Sequence, residues 1–186
     1  MTQGQSILRN LFHFSGVVIP LTYALVNRRA ALWLTVTLLC ILLLVEFLRI
    51  TGRINLRTAR GYLKEKERTK PTGSLFYAVA SLLTIILFQK ETAVSSLLVL
   101  TVSDPLSSFV GLRLGRHPIF GKSVEGTLAF FGSSLIILLL FSVGFFTALA
   151  VAGIAALTEL FTPSFLDDNL TIPIITGLAL TLFSAF

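Results

Sequence analysis

Apolar residues in this chain come in long runs separated by short polar breaks. The runs cover residues 11–26, 31–50, 73–88, 93–110, 127–145, 146–161 and 170–186. A helix that crosses a bilayer takes about 20 apolar residues, and the runs approach that length. The pattern predicts an all-α, polytopic transmembrane helical bundle of about seven spans, several of them short and packed close together. Only Gly144 marks the break between the fifth and sixth runs. No internal repeat or low-complexity linker interrupts the series, so residues 1–186 read as a single transmembrane domain. The first run lacks a small-residue cleavage site and is followed at once by further runs, unlike a cleavable signal peptide.

Composition agrees with the pattern. Hydrophobic residues make up 54% of the chain and charged residues 13%, against roughly a quarter charged in soluble domains. The single cysteine, Cys40, stands inside a run, so the chain has no disulfide framework. A net charge of +6 would suggest nucleic acid as a partner in a soluble protein. Here it is expected to set topology and to meet anionic headgroups, with no role for nucleic acid.

The polar breaks sort onto two sides. One side holds the N-terminus and residues 51–71, 111–125 and 162–169, with Arg9, Arg53, Arg57, Arg60, Lys64, Lys66, Arg68, Lys70, Arg113, Arg116 and Lys122. The other holds residues 27–30 and 89–92, the turn at Gly144 and the C-terminus, with Arg28, Arg29 and Lys90. The positive-inside rule places the first side, and the N-terminus, in the cytoplasm. The stretch 57–70 reads as a helix lying at the interface.

Three acids interrupt the apolar runs: Glu46, Asp104 and Glu159. A carboxylate at mid-bilayer costs roughly 2.5 kcal/mol or more, so each should face a partner or a polar cavity. Glu46 has Arg49 three residues on, so an intrahelical pair competes with a functional role. Glu159 either locks two helices through a hydrogen bond or serves a site. Asp104 precedes Pro105, which frees a backbone carbonyl one turn back. Ser107, Ser108, Gly111 and Gly115 follow on its helical face. Close packing accounts for the glycines but not the aspartate, which favours a polar cavity.

Residues 111–126 contain four glycines, two arginines and a lysine. Glycines let backbone N–H groups approach an anion and the bases neutralise it, so Gly111, Arg113, Gly115, Arg116, Gly121, Lys122 and Ser123 form a candidate phosphate cradle. Ser123 or Thr127 would cap the next helix, whose N-terminus favours phosphate. The spacing excludes a P-loop, because Arg116 occupies the place of its first glycine. Asp167, Asp168 and Asn169 suit a divalent cation, or else Asp168 or Asn169 starts the last helix. His13, after Arg9, is a general base or a polar anchor.

In this order the motifs resemble those of the CTP-dependent lipid kinases: dolichol kinase, phytol and farnesol kinases, and the yeast-type CTP-dependent diacylglycerol kinase. The matching pieces are Arg9-x-x-x-His13-x-x-Gly16, Glu46-x-x-Arg49, Lys70-Pro71-Thr72-Gly73, Ser103-Asp104-Pro105, Gly111-x-x-x-Gly115, Lys122-Ser123-x-Glu125-Gly126 and Asp167-Asp168-Asn169-Leu170-x-x-Pro173. The chain looks like the family's compact catalytic core, which favours the phytol or diacylglycerol branch. Gly16 comes one residue sooner after the histidine than is usual there.

The resemblance implies transfer of the γ-phosphate of CTP to the hydroxyl of a membrane lipid, with Mg²⁺, on the cytoplasmic face of a cell membrane or endomembrane. Lys122, Arg113 and Arg116 would then hold phosphates, and Asp104 with Asp167 or Asp168 would hold Mg²⁺. Glu125 would contact metal or ribose. Asp104, Glu159 or His13 would act as base. Two rivals are a cytidylyltransferase that makes a CDP-lipid and a transporter. The signature of the first is absent, and the second would need polar residues that cross the bilayer instead of gathering at one face.

Overall fold

A computed structural model describes residues 14–51, 53, 71–162 and 166–183. His13, Arg9 and the stretch 57–70 lie outside the described residues. The described chain is all-helical apart from one small hairpin, and its seven helices follow the seven apolar runs. They are α1 (Ser15–Leu25), α2 (Arg28–Ile50), α3 (Gly73–Leu87), α4 (Lys90–Leu114), α5 (Val124–Leu140), α6 (Phe145–Phe161) and α7 (Asp168–Phe183). Gly144 does separate two helices and stands as the N-cap of α6.

Two helices, α2 and α4, are long and apolar enough to cross a membrane. They sit in different surroundings. In α4, 61% of the most apolar window is buried against other helices, against 17% in α2. The first half of α4 runs through the centre, touching α1, α3, α5 and α7, whereas α2 packs at the edge on α1 and α3. The core between them is built from small and branched side chains, including Ala78, Ala80, Val94, Leu97, Ala148, Ala152 and Ala155. Small residues let helix backbones approach closely, which fixes neighbours without a large core. The outer faces remain apolar: Trp33, Leu44, Leu140 and Phe146 are all well exposed.

One proline and a glycine pair shape the part of the fold that matters for function. Pro105 has no N–H to offer the carbonyl four residues back, and its ring crowds that carbonyl. Directly before it, α4 widens into a π turn over Val99–Ser103, a feature that recurs at functional positions in helices. Beyond the turn, α4 crosses α5 at Gly111 and Gly126. A Cβ on Gly126 would lie 3.0 Å from the Ser107 carbonyl oxygen and 3.1 Å from Ser123 Oγ. A side chain there would be tighter than ordinary van der Waals contact, so the crossing favours glycine.

Between α4 and α5 the chain forms a hairpin, β1 (Pro118–Ile119) and β2 (Lys122–Ser123), with Ile119 opposite Lys122. Its two tip residues, Phe120 and Gly121, have φ of 46° and 80°. Positive φ at both positions defines a tight turn that matches strand twist.

Candidate functional site

The hairpin, the second half of α4, the end of α6 and the start of α7 meet at one end of the bundle. Here the charged residues of separate runs find one another. Lys122 Nζ lies 2.6 Å from Glu159 Oε1 and donates to the Glu159 main-chain oxygen at 2.5 Å. That carbonyl lies in the last turn of α6, where main-chain oxygens have no partner within the helix. Glu159 is 3% exposed. Ser107 Oγ, on α4, donates to its Oε1 at 3.4 Å, while Oε2 is buried with no hydrogen-bond partner. Asp104 and Asp168, on α4 and α7, both lie within electrostatic reach of Glu159. Four chain segments thus supply a cation, three carboxylates and a hydroxyl to one locality.

The rest of the predicted cradle rings this centre. Ser123 caps α5 by accepting from the Gly126 N–H at 3.1 Å, and it packs against Gly111 and Gly115. Arg113 and Arg116 are exposed, with the Arg113 guanidinium 4.5 Å above the Phe109 ring. Glu125 faces His117 instead: the histidine Nδ1 is 2.7 Å from its Oε1. This contact, with main-chain donors, holds the Glu125 carboxyl down at about 2, so it stays ionised wherever the protein is folded at ordinary pH.

Asp167 and Asp168 play different parts. Asp167 is buried. Its Oδ1 accepts from the Asn169 N–H at 3.2 Å and from Asn169 Nδ2 at 2.7 Å, and its carbonyl receives the N–H groups of Leu170 and Thr171. It is the residue that starts α7, one position earlier than the sequence suggested. Asp168 is partly exposed and is the better placed of the two to meet a ligand. Among the described residues, no three histidine, cysteine or acidic side chains are grouped closely enough to hold a metal by themselves.

Glu46 is occupied as its spacing suggested. Both its oxygens are 2.7 Å from Arg49 nitrogens, and Oε1 also accepts the Thr72 N–H at 2.9 Å. It thereby ties Glu46-x-x-Arg49 to Thr72, at the start of α3. Similarly, Tyr77 donates to the Gly16 carbonyl at 2.7 Å, which fastens Gly16 to α3. Sequence reasoning missed the Ser103–Ser134 hydrogen bond, 3.1 Å and buried, which clamps the π turn to α5. The signal available was Pro105 beside two small hydroxyl residues.

A cavity of about 270 Å³ opens at the opposite end of the bundle, lined by Glu91, Thr92, Ser95, Phe141, Ser142 and Thr147 among others. None of the candidate residues lines it.

The chain is 32% identical over 189 residues to "Uncharacterized protein RP860" of Rickettsia prowazekii, covering 94% of this chain and 93% of that one. The chain belongs to the family of that Rickettsia protein. It is also 37% identical over 120 residues to "Uncharacterized protein MJ1137" of Methanocaldococcus jannaschii, covering 62% of this chain and 61% of the relative. No family model matches the chain, and no solved structure matches it. Within this family the site is therefore described by its own geometry.

Proposed function

We propose that this protein is a membrane-embedded CTP-dependent lipid kinase. Its seven helices would all span, with the N-terminus and the Lys122–Glu159 end in the cytoplasm. The apolar outer faces and the concentration of basic residues at that end support the embedding and its direction. Supporting the chemistry is one observation above others: Lys122 of the hairpin, Glu159, Asp104 and Asp168, from four separate segments of the chain, gather at one end of the bundle.

In this reading the chain's residues position and neutralise. Lys122, Arg113 and Arg116 face the phosphates of CTP, and the N-terminus of α5, capped by Ser123, adds its dipole. Asp104 and Asp168 would hold Mg²⁺, which supplies charge neutralisation at the transferring phosphate. Glu159, with one buried oxygen unpartnered, is available to accept the proton of a lipid alcohol. The alcohol oxygen bonds to the γ-phosphorus, the bond to the β-phosphate oxygen breaks, and CDP leaves.

CTP labelled at the γ- or the α-phosphorus, incubated with purified protein and long-chain isoprenoid alcohols or diacylglycerol, tests the reading. Label from the γ position is expected in the lipid phase and label from the α position in water. The reverse partition with phosphorylated lipids would show a cytidylyltransferase, and no transfer to any lipid would remove the enzyme reading.

A further inference from the structure

Beside the Lys122–Glu159 ion pair lies an aromatic pair of the same construction. Phe120 stands two residues before Lys122, and Phe161 two residues after Glu159. Their ring centroids are 5.0 Å apart at an interplanar angle of 54°. Hairpin and helix end are therefore joined twice, once by charge and once by rings. The rings are far from buried: Phe120 is 71% exposed and Phe161 55%.

Phe120 is also an unexpected residue at its position. Its φ of 46° is uncommon for any side chain with a Cβ and unusual for a bulky one. A turn with positive φ at both tip residues prefers Asn-Gly or Gly-Gly. The chain keeps the glycine but places a phenylalanine where asparagine would relax the backbone. Packing within the bundle does not account for it, because most of the ring faces outward.

We propose that the Phe120–Phe161 pair is the subsite for the hydrocarbon chain of the acceptor lipid, whose hydroxyl then falls at Lys122 and Glu159. The inference rests on the kinase reading for the identity of the headgroup. The occupant follows from the juxtaposition: an exposed apolar surface meets a buried polar cluster within two residues on both sides, which complements an amphiphile carrying a small polar head. Aromatic rings take such a chain with little loss of side-chain freedom.

Two measurements test it. In the first, Phe120→Trp is combined with Trp33→Phe, which removes the chain's single native tryptophan. The protein is placed in nanodiscs and titrated with a dibrominated long-chain alcohol. Quenching is expected to saturate with the alcohol and not with the methyl ester of the same brominated chain. Quenching that rises linearly and equally with both would mean contact with bulk bilayer only, and absence of quenching would mean no chain contact; either result overturns the subsite.

In the second, Phe120→Asn suits the backbone and should fold at least as well as the parent. It is expected to raise KM for a long-chain alcohol about tenfold, the weight of one ring withdrawn from an apolar contact, without changing KM for CTP. An unchanged lipid KM, or an equal change in both, would overturn the proposal. Should no lipid be phosphorylated at all, the kinase reading falls while the quenching still decides the subsite.

Discussion

Glu159 is the residue on which the arrangement depends. It is buried, and its charge is matched by the ammonium of Lys122 at 2.6 Å. Removing the partner of a buried charge is costly because that charge is left uncompensated. Lys122→Ala is therefore expected to lower stability by about 3 kcal/mol, and adding Glu159→Gln to recover most of the loss. Thermal or denaturant unfolding of both single variants and the double variant in detergent checks this; additive losses would mean that the two side chains are not coupled. Asp104→Asn, in contrast, should unfold like the parent yet lose turnover about 10²-fold or more, as expected of a group acting on transition-state charge.

Glu125 has a separate pH signature. Its carboxyl, held at about 2 chiefly by His117, is lowered by folding. Its contribution is complete above the usual carboxylate range and is lost only as pH falls from there through about 2. Protection of the amides at 117–124 against hydrogen exchange should thus be the same at pH 7 and pH 5, and Glu125→Gln should lower it at both. At this scale the sequence was informative where a charge stood in an apolar run or a pair fell at helical spacing. Asp104, Glu159 and Glu46–Arg49 are of that kind. It was silent on the partner of Lys122, which lies 37 residues away and is chosen by packing.

Among the elements, the crossing of α4 and α5 is the tightest constraint. Gly126→Ala should force those helices apart and cost roughly 1–3 kcal/mol, the range for overpacking. Gly132, on the same helix α5, has open space where a Cβ would go. Gly132→Ala should be neutral or stabilise by up to about 1 kcal/mol through helix propensity. Unfolding of the two variants in the same detergent makes the comparison, and equal effects would contradict the role given to the crossing. The helices themselves were legible from apolar runs, because each run must bury or shield a whole helical surface. The hairpin was not, since two-residue strands have no periodicity to read; glycine content suggested only an open cradle. Pro105 pointed to a freed carbonyl one turn back, but not to the π turn itself or to the contact of Ser103 with Ser134 beside it.

The two ends of the whole molecule use their cations differently. At the end away from the site, Arg28 donates to the carbonyls of Ile85 and Ile86, and Lys90 to that of Ala24. These bases complete helix C-termini. The proposed orientation puts the hairpin end, with Arg113 and Arg116 exposed, in the cytoplasm. With the exposed Cys40 replaced, single cysteines at positions 53 and 92 report it in intact cells. An impermeant thiol reagent should label position 92 and spare position 53; the opposite result reverses the topology.

Helix length carries a mechanical consequence. At 1.5 Å per residue, α3, α5, α6 and α7 measure only about 22–26 Å, whereas a typical hydrocarbon layer is about 30 Å thick. If all of them span, the bilayer must pinch around the bundle, and elastic strain in the lipid would draw the surrounding headgroups toward the midplane. A hydroxyl resting at the pinched surface would already be near the level of Glu159, with no need to be pulled down to it. Turnover should then rise in thinner host membranes and fall in thicker ones, which reconstitution in lipids of graded acyl length would measure.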